Sequence, residues 1–155
     1  MAGRIDARLK ELGIELPEAA AAVANYVPYV ISGNMVHVAG QITLLGGKPQ
    51  HLGTVGADIS VEEGKTAARL CALNLIAQVK AACGGDLDRV SRVVKLNGFV
   101  ASAQGFTQQP AVVNGASDLM VEVFGDAGRH ARAAVGVMGL PLGVSVEVDG
   151  LFEIA

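Results

Sequence analysis

From Val144 to Ile154 every second residue is Val144, Val146, Val148, Gly150, Phe152 and Ile154, and Ser145, Glu147, Asp149, Leu151 and Glu153 stand between them. A period of two is the period of a strand with one buried face. The segment therefore demands a sheet, and the rest of the chain must supply what covers it. Just upstream, Arg132 is followed by ten residues, AAVGVMGLPL, with no other ionisable group. A guanidinium at the edge of an apolar region calls for an anion, and a carboxylate held by two parallel N–H···O bonds is the natural one. Glu147 or Asp149 could fill that place as an internal salt bridge. A substrate carboxylate is the other candidate.

With 155 residues, the chain fits one domain, long enough to bury roughly 70% of its unfolded surface. Residues 1–24 read as an N-terminal helix and an irregular lead-in, and residues 25–155 as the main body of that domain. Hydrophobic residues make up 51% and charged ones 17% of the chain, and the mean hydropathy is +0.43. That is more apolar surface than a monomer of this size hides easily, so faces that close against copies of the same chain are expected. A formal net charge of −3 and scattered Lys and Arg residues offer no footing for a nucleic acid. No apolar run is long enough to span a membrane, and the charged start MAGRIDARLKELG does not resemble a signal peptide, so a cytoplasmic protein is expected. Cys71 and Cys83 fall in one expected helix, roughly 18 Å apart along its axis, too far for a bridge within it.

Ile5, Leu9 and Leu12 have helical spacing and Gly13 stops them, which suggests a short helix appended to the fold. Val27 to Ile31 and Met35 to Ile42 flank Ser32-Gly33-Asn34 and read as a hairpin. The following LLGGKPQHLGTVGAD reads as a loop. Ser60-Val61-Glu62-Glu63 is a capping box, in which the serine oxygen takes one free amide and Glu63 reaches back to another. The helix it opens runs to about Cys83, with Leu70, Leu75, Ile76 and Val79 as apolar positions and Lys65, Arg69, Asn74, Gln78 and Lys80 as wet ones. Arg89 to Ser102 reads as a strand. Pro110 opens a second helix with a stripe through Val112, Val113, Ala116, Leu119, Met120, Val123 and Phe124. The order strand, strand, helix, strand, helix, strand, strand predicts an α+β fold with both helices on one face of a sheet.

The segments Pro28-Tyr29-Val30, Gly33-Asn34-Met35, Ala39-Gly40-Gln41-Ile42 and Arg132-Ala133-Ala134-Val135, then Leu140-Pro141 and Val146-Glu147-Val148, resemble in the same order the RidA/YjgF family of enamine/imine deaminases. The resemblance implies a chorismate-mutase-like fold and a homotrimer with clefts between subunits. It also implies cofactor-independent hydrolysis of reactive 2-imino acids, such as 2-iminopropanoate from 2-aminoacrylate, to 2-keto acids and ammonia. Arg132 falls on the family's carboxylate-binding arginine, Glu147 on its glutamate and Tyr29 on its tyrosine. Asn114 falls on the asparagine at the start of the second helix. Gly40 and Ala134 complete the expected substrate contacts, Ala134 standing where many members carry a cysteine. The longer N-terminal region marks a divergent branch.

The roles follow from the chemistry. Arg132 would anchor the carboxylate and bring C2 to a water, while Glu147 would position that water or move its proton. Tyr29 is equally a packing residue and Asn114 equally a helix-surface polar group. His37, His51 and His130 lack metal-site spacing, so no metal is expected, and His130 reads as a solvated turn residue. Two other functions compete with the deaminase: a non-catalytic trimer that binds small carboxylates such as 2-keto acids, and, more weakly, an endoribonuclease or translation inhibitor. Chorismate mutase chemistry would need more cations than Arg132 alone.

Overall fold

The computed structural model describes residues 3–22 and 24–155. Its central strand is the one that the alternation predicts. In β7 (Val146–Ile154), Val146, Val148, Gly150, Phe152 and Ile154 are buried, and Glu147, Asp149, Leu151 and Glu153 face the other way, half-buried. Each large apolar side chain on the inner face contributes about 1.5–3 kcal/mol by leaving water.

Two strands flank β7. On one side is β2 (Met35–Ile42), joined to β1 (Tyr29–Ser32) by the expected tight turn with Gly33 at φ +61. On the other is β5 (Val90–Ala101), and beyond it β6 (Ala131–Val137). The sheet order is β1-β2-β7-β5-β6. Every neighbouring pair is antiparallel except β5 and β6, which run parallel because α3 (Gln109–Phe124) crosses over between them. Two short strands, β3 (Leu44–Leu45) and β4 (Lys48–Pro49), form a small hairpin inside the segment expected to be a loop.

α2 (Val61–Ala82) and α3 lie on the valine face, as the α+β pattern predicts. Gly98 of β5 lets α3 come close, since a Cβ there would press into Val113. Ser60 Oγ accepts the Glu63 amide at 3.1 Å. Glu63's carboxylate goes to His51 Nδ1 at 3.2 Å, where the capping box predicted a bond back to Ser60. Asn74 and Gln78 were expected to be wet and are buried instead, at 4% and 1% exposure. Each has a polar task there. Asn74 Nδ2 donates to the carbonyls of Ile42 and Leu44, and Gln78 Nε2 donates to that of Ala20 at 2.7 Å, so the lead-in and the β3 turn are tied over α2.

α1 (Arg4–Glu11) is no appendage. Ile5 and Leu9 belong to the main core, and the Asp88 carboxylate accepts the Arg4 and Ile5 amides at 2.8 Å, capping the helix from a distant part of the chain. Those amide bonds hold Asp88 below the usual carboxylate range. Both cysteines are buried, and burial pushes the Cys71 thiol far above its ordinary range, which leaves it unreactive. No helix among the described residues is long and apolar enough to cross a membrane.

Among the described residues no helix covers the outer face of the sheet. It carries His37, Lys95, Asn97, Asp149 and Leu151 in a shallow depression, and Val30, Ile31 and Val135 stand exposed on the edge strands.

Candidate active site

Arg132 lies on the edge strand β6 and turns its side chain toward α3. Pro110, Asn114 and Ser117 are spaced four and three residues apart, so they line one face of that helix. All three supply acceptors. Arg132 Nη1 donates to Asn114 Oδ1 at 2.8 Å and to Ser117 Oγ at 3.1 Å, and Nη2 donates to the Pro110 carbonyl at 3.1 Å. All of these partners are neutral. Among the described residues no carboxylate lies within the 4.0 Å of an ion pair. The internal salt bridge to Glu147 or Asp149 is not formed. Of the five N–H donors of a guanidinium, Nε–H and one Nη2–H remain for another anion.

Glu147 occupies a different place. Its carboxyl group lies directly against Gly40, where a Cβ would collide with Oε2. Both line a cleft of ≈ 330 Å³, within the range of small-molecule sites. Ala20, Ala21 and Ala22 of the lead-in, with Tyr26 just beyond it, form one wall, and Pro141 and Leu142 form part of the rim. Gly40 sits at a register shift in the β2–β7 ladder between Val38 and Gln41, and such a bulge re-aims the strand locally. Burial, followed by the negative charge of Asp149, raises the Glu147 pKa above the usual glutamate range. Asp149 in turn accepts from Asn97 Nδ2 at 2.8 Å.

The structure brings Asn114 to Arg132 and Gly40 to Glu147. Ala134 lies two residues along β6 from Arg132 and packs against the core. Tyr29 also packs against the core and lines an adjoining groove with Tyr26, Val30 and His37 rather than the Glu147 cleft. His130, expected to be solvated, is half-buried and hydrogen-bonded. Sequence reasoning missed Ser117, Tyr26 and Leu142. Ser117 carried a readable signal, because it stands three residues after Asn114 on the same helical face.

A family model described as "YjgF/chorismate mutase-like, putative endoribonuclease" matches residues 6–152. The chain belongs to this YjgF/chorismate mutase-like family. Among its relatives, Protein TCP17 of Trypanosoma cruzi is 55% identical over 153 residues, covering 98% of this chain and 95% of its own. A crystal structure from Shewanella oneidensis, described with the same endoribonuclease wording, is 41% identical with a TM-score of 0.94, covering 98% and 100% of the two chains. RidA from an Antarctic Psychrobacter is 28% identical with a TM-score of 0.61, covering 88% and 94%. The YjgF-like fold thus places an uncompensated arginine and a half-buried glutamate on strands separated only by β5.

Proposed function

We propose that the protein hydrolyses reactive 2-imino acids to 2-keto acids and ammonia, and that it does so as a homotrimer with its sites between subunits. The observation that carries this reading is the guanidinium of Arg132, held by three neutral acceptors and without a carboxylate of its own. A planar 2-imino carboxylate would complete it through Nε–H and Nη2–H.

In this reading Arg132 holds the carboxylate, with Asn114 keeping the guanidinium in place, and Glu147 of a neighbouring copy faces C2 across the cleft. Glu147 in its carboxylate form accepts a proton from water as the water oxygen bonds to C2 and the C=N π pair moves to nitrogen. The nitrogen takes up that proton to give the carbinolamine. The new hydroxyl then passes its own proton through Glu147 to the nitrogen, and as the C=O bond forms the C–N bond breaks, releasing ammonia and a 2-keto acid. Gly40 leaves room for the Glu147 carboxyl, and Ala134 contributes backbone beside Arg132. Tyr29 shapes the adjoining wall. The alanines of the lead-in with Leu142 favour substrates with small or medium apolar side chains.

The separation of Arg132 from Glu147 within one chain also supports a second reading, a carboxylate-binding module that lacks a competent water. An RNA-cleaving role, named in the family description, finds little support in a chain of formal net charge −3. The deciding test generates 2-aminoacrylate with a serine dehydratase and follows semicarbazone trapping with wild type and Arg132→Ala. Accelerated loss of the imine that disappears in the variant establishes the deaminase. No acceleration, together with saturable pyruvate binding, leaves the binding module.

A further inference from the structure

A line of hydrogen bonds behind Arg132 has no part in the chemistry proposed above. Ser117 Oγ, which accepts from Arg132 Nη1 at 3.1 Å, lies 2.9 Å from His130 Nε2, and His130 Nδ1 lies 2.6 Å from the Gly128 carbonyl. That last contact sets the direction of the whole line. A carbonyl only accepts, so Nδ1 carries the hydrogen, and in the neutral ring Nε2 is then an acceptor. Ser117 must give its hydroxyl proton to Nε2. A serine whose proton is committed to one side presents its lone pairs to the other, where Nη1–H arrives. The far end is fixed as well, since Gly128 is buried and packed so closely on α3 that a Cβ would collide with the Met120 carbonyl.

We infer that His130 and Ser117 are positioning residues for Arg132. Together with Asn114 they occupy both Nη1 protons, which fixes the plane of the guanidinium and leaves Nε–H and one Nη2–H turned outward as the fork for a carboxylate. Neither residue touches the reacting atoms. Their effect is on capture of the carboxylate, while the step at C2 belongs to Glu147. This rests on the proposed function only in taking a carboxylate as the ligand of Arg132.

The test combines pyruvate titration, steady-state kinetics on the imine and NMR of the full-length protein. His130→Ala and Ser117→Ala each raise the pyruvate Kd and the imine KM by roughly three- to tenfold, the order of one hydrogen bond's net contribution, and the double variant is no weaker than either single one. The kcat changes by less than about twofold. His130→Gln, whose amide oxygen can accept from the same hydroxyl, restores the affinity and shows that the effect is not one of folding, which melting curves of all variants check independently. In 15N spectra of the imidazole, Nδ1 carries the hydrogen and Nε2 does not. A ring protonated on Nε2 alone, an unchanged Kd in His130→Ala, or losses that add in the double variant would each overturn the proposal. If wild type binds pyruvate but does not hydrolyse the imine, the deaminase reading fails and the positioning role stands. If wild type binds no pyruvate, rotation about the Arg132 Nε–Cζ bond, read from its own side-chain signals, decides: faster rotation in His130→Ala supports the relay, and unchanged rotation overturns it.

Discussion

Arg132 and Glu147 leave the sheet on opposite faces. Arg132 pairs with Leu96, which in turn pairs with Gly150, and that row faces the helices, whereas Glu147 shares a row with Phe99 and Val135 on the uncovered side. Within one chain the two groups therefore point away from each other. If copies of the chain complete the site, Arg132→Ala and Glu147→Gln are each inactive alone. Unfolded together and refolded as a mixture, they regain activity, since about a quarter of randomly assembled sites pair an intact arginine with an intact glutamate. No recovery from a mixture shown by mass spectrometry to contain mixed oligomers would place both groups in a single-chain site and refute the arrangement.

The raised pKa of Glu147 sets a pH dependence with a definite sign. Burial and Asp149 favour its protonated form in the folded chain, so the native state binds this proton more tightly than the unfolded state. Stability then falls as pH rises from the ordinary glutamate range through the raised folded value. Glu147→Gln removes that cost, so the variant melts higher than wild type at neutral pH and the gap closes in acid. In the deaminase reading activity runs the other way, because there the carboxylate is the working form, so its acid limb lies above the ordinary glutamate range. Asp149→Asn keeps an oxygen for Asn97 and removes the neighbouring charge, which moves that limb to lower pH. A limb that stays in place in Asp149→Asn would show that another group governs it.

Gly40 is required by the shape of the cleft rather than by its backbone angle. An added methyl there meets the Glu147 carboxyl group, and one of the two must move. Gly40→Ala is expected to lower stability by about 1–3 kcal/mol and, in the deaminase reading, to reduce kcat more than KM, because there the displaced group acts on the water. Gly33→Ala in the distant hairpin turn serves as a comparison, since it is strained by its φ of +61 but has open space around it. Equal kinetic effects from both substitutions would tie the loss to general destabilisation.

What could be read from the sequence follows from the range of the interactions. The alternation of β7, the Ser60 cap and the apolar stripe of α3 are local, and each appears where its pattern predicts. Arg132 stood out because a guanidinium is costly in apolar surroundings, whereas Glu147 and Asn114 stood out only through the resemblance to the RidA/YjgF family. The pairing of Leu96 with Arg132 and of Phe99 with Glu147 depends on register across two strands remote in sequence, so no local pattern reveals that the two groups face apart. Asn74 and Gln78 were misplaced for the same reason. Their polarity suggested water, and only the folded lead-in and the β3 turn show that backbone carbonyls take its place. His130 became a relay member only once Ser117, thirteen residues upstream, was brought beside it.

Leu142 stands on the rim of the Glu147 cleft at φ 59 and ψ 13, a left-handed conformation that a leucine adopts at a cost. Its side chain is 67% exposed, so little burial offsets that cost within one chain. Leu142→Gly relieves the strain and gives back part of the gain in unfolded-state entropy. The expected net stabilisation is about 0.5–1 kcal/mol, a rise in Tm of roughly 1–4 °C for a chain of this size. The same change removes the apolar rim of the cleft. In the deaminase reading the KM for an imine with a medium apolar side chain therefore rises, while that for 2-iminopropanoate, which is too small to reach the rim, stays close to wild type. Leu142→Asn separates the two effects, because asparagine tolerates the left-handed region but offers a polar edge. It should share the gain in Tm and the selective loss of affinity. A fall in Tm for both variants would mean that Leu142 is held by contacts stronger than its strain, with a second copy of the chain as the surface that covers it.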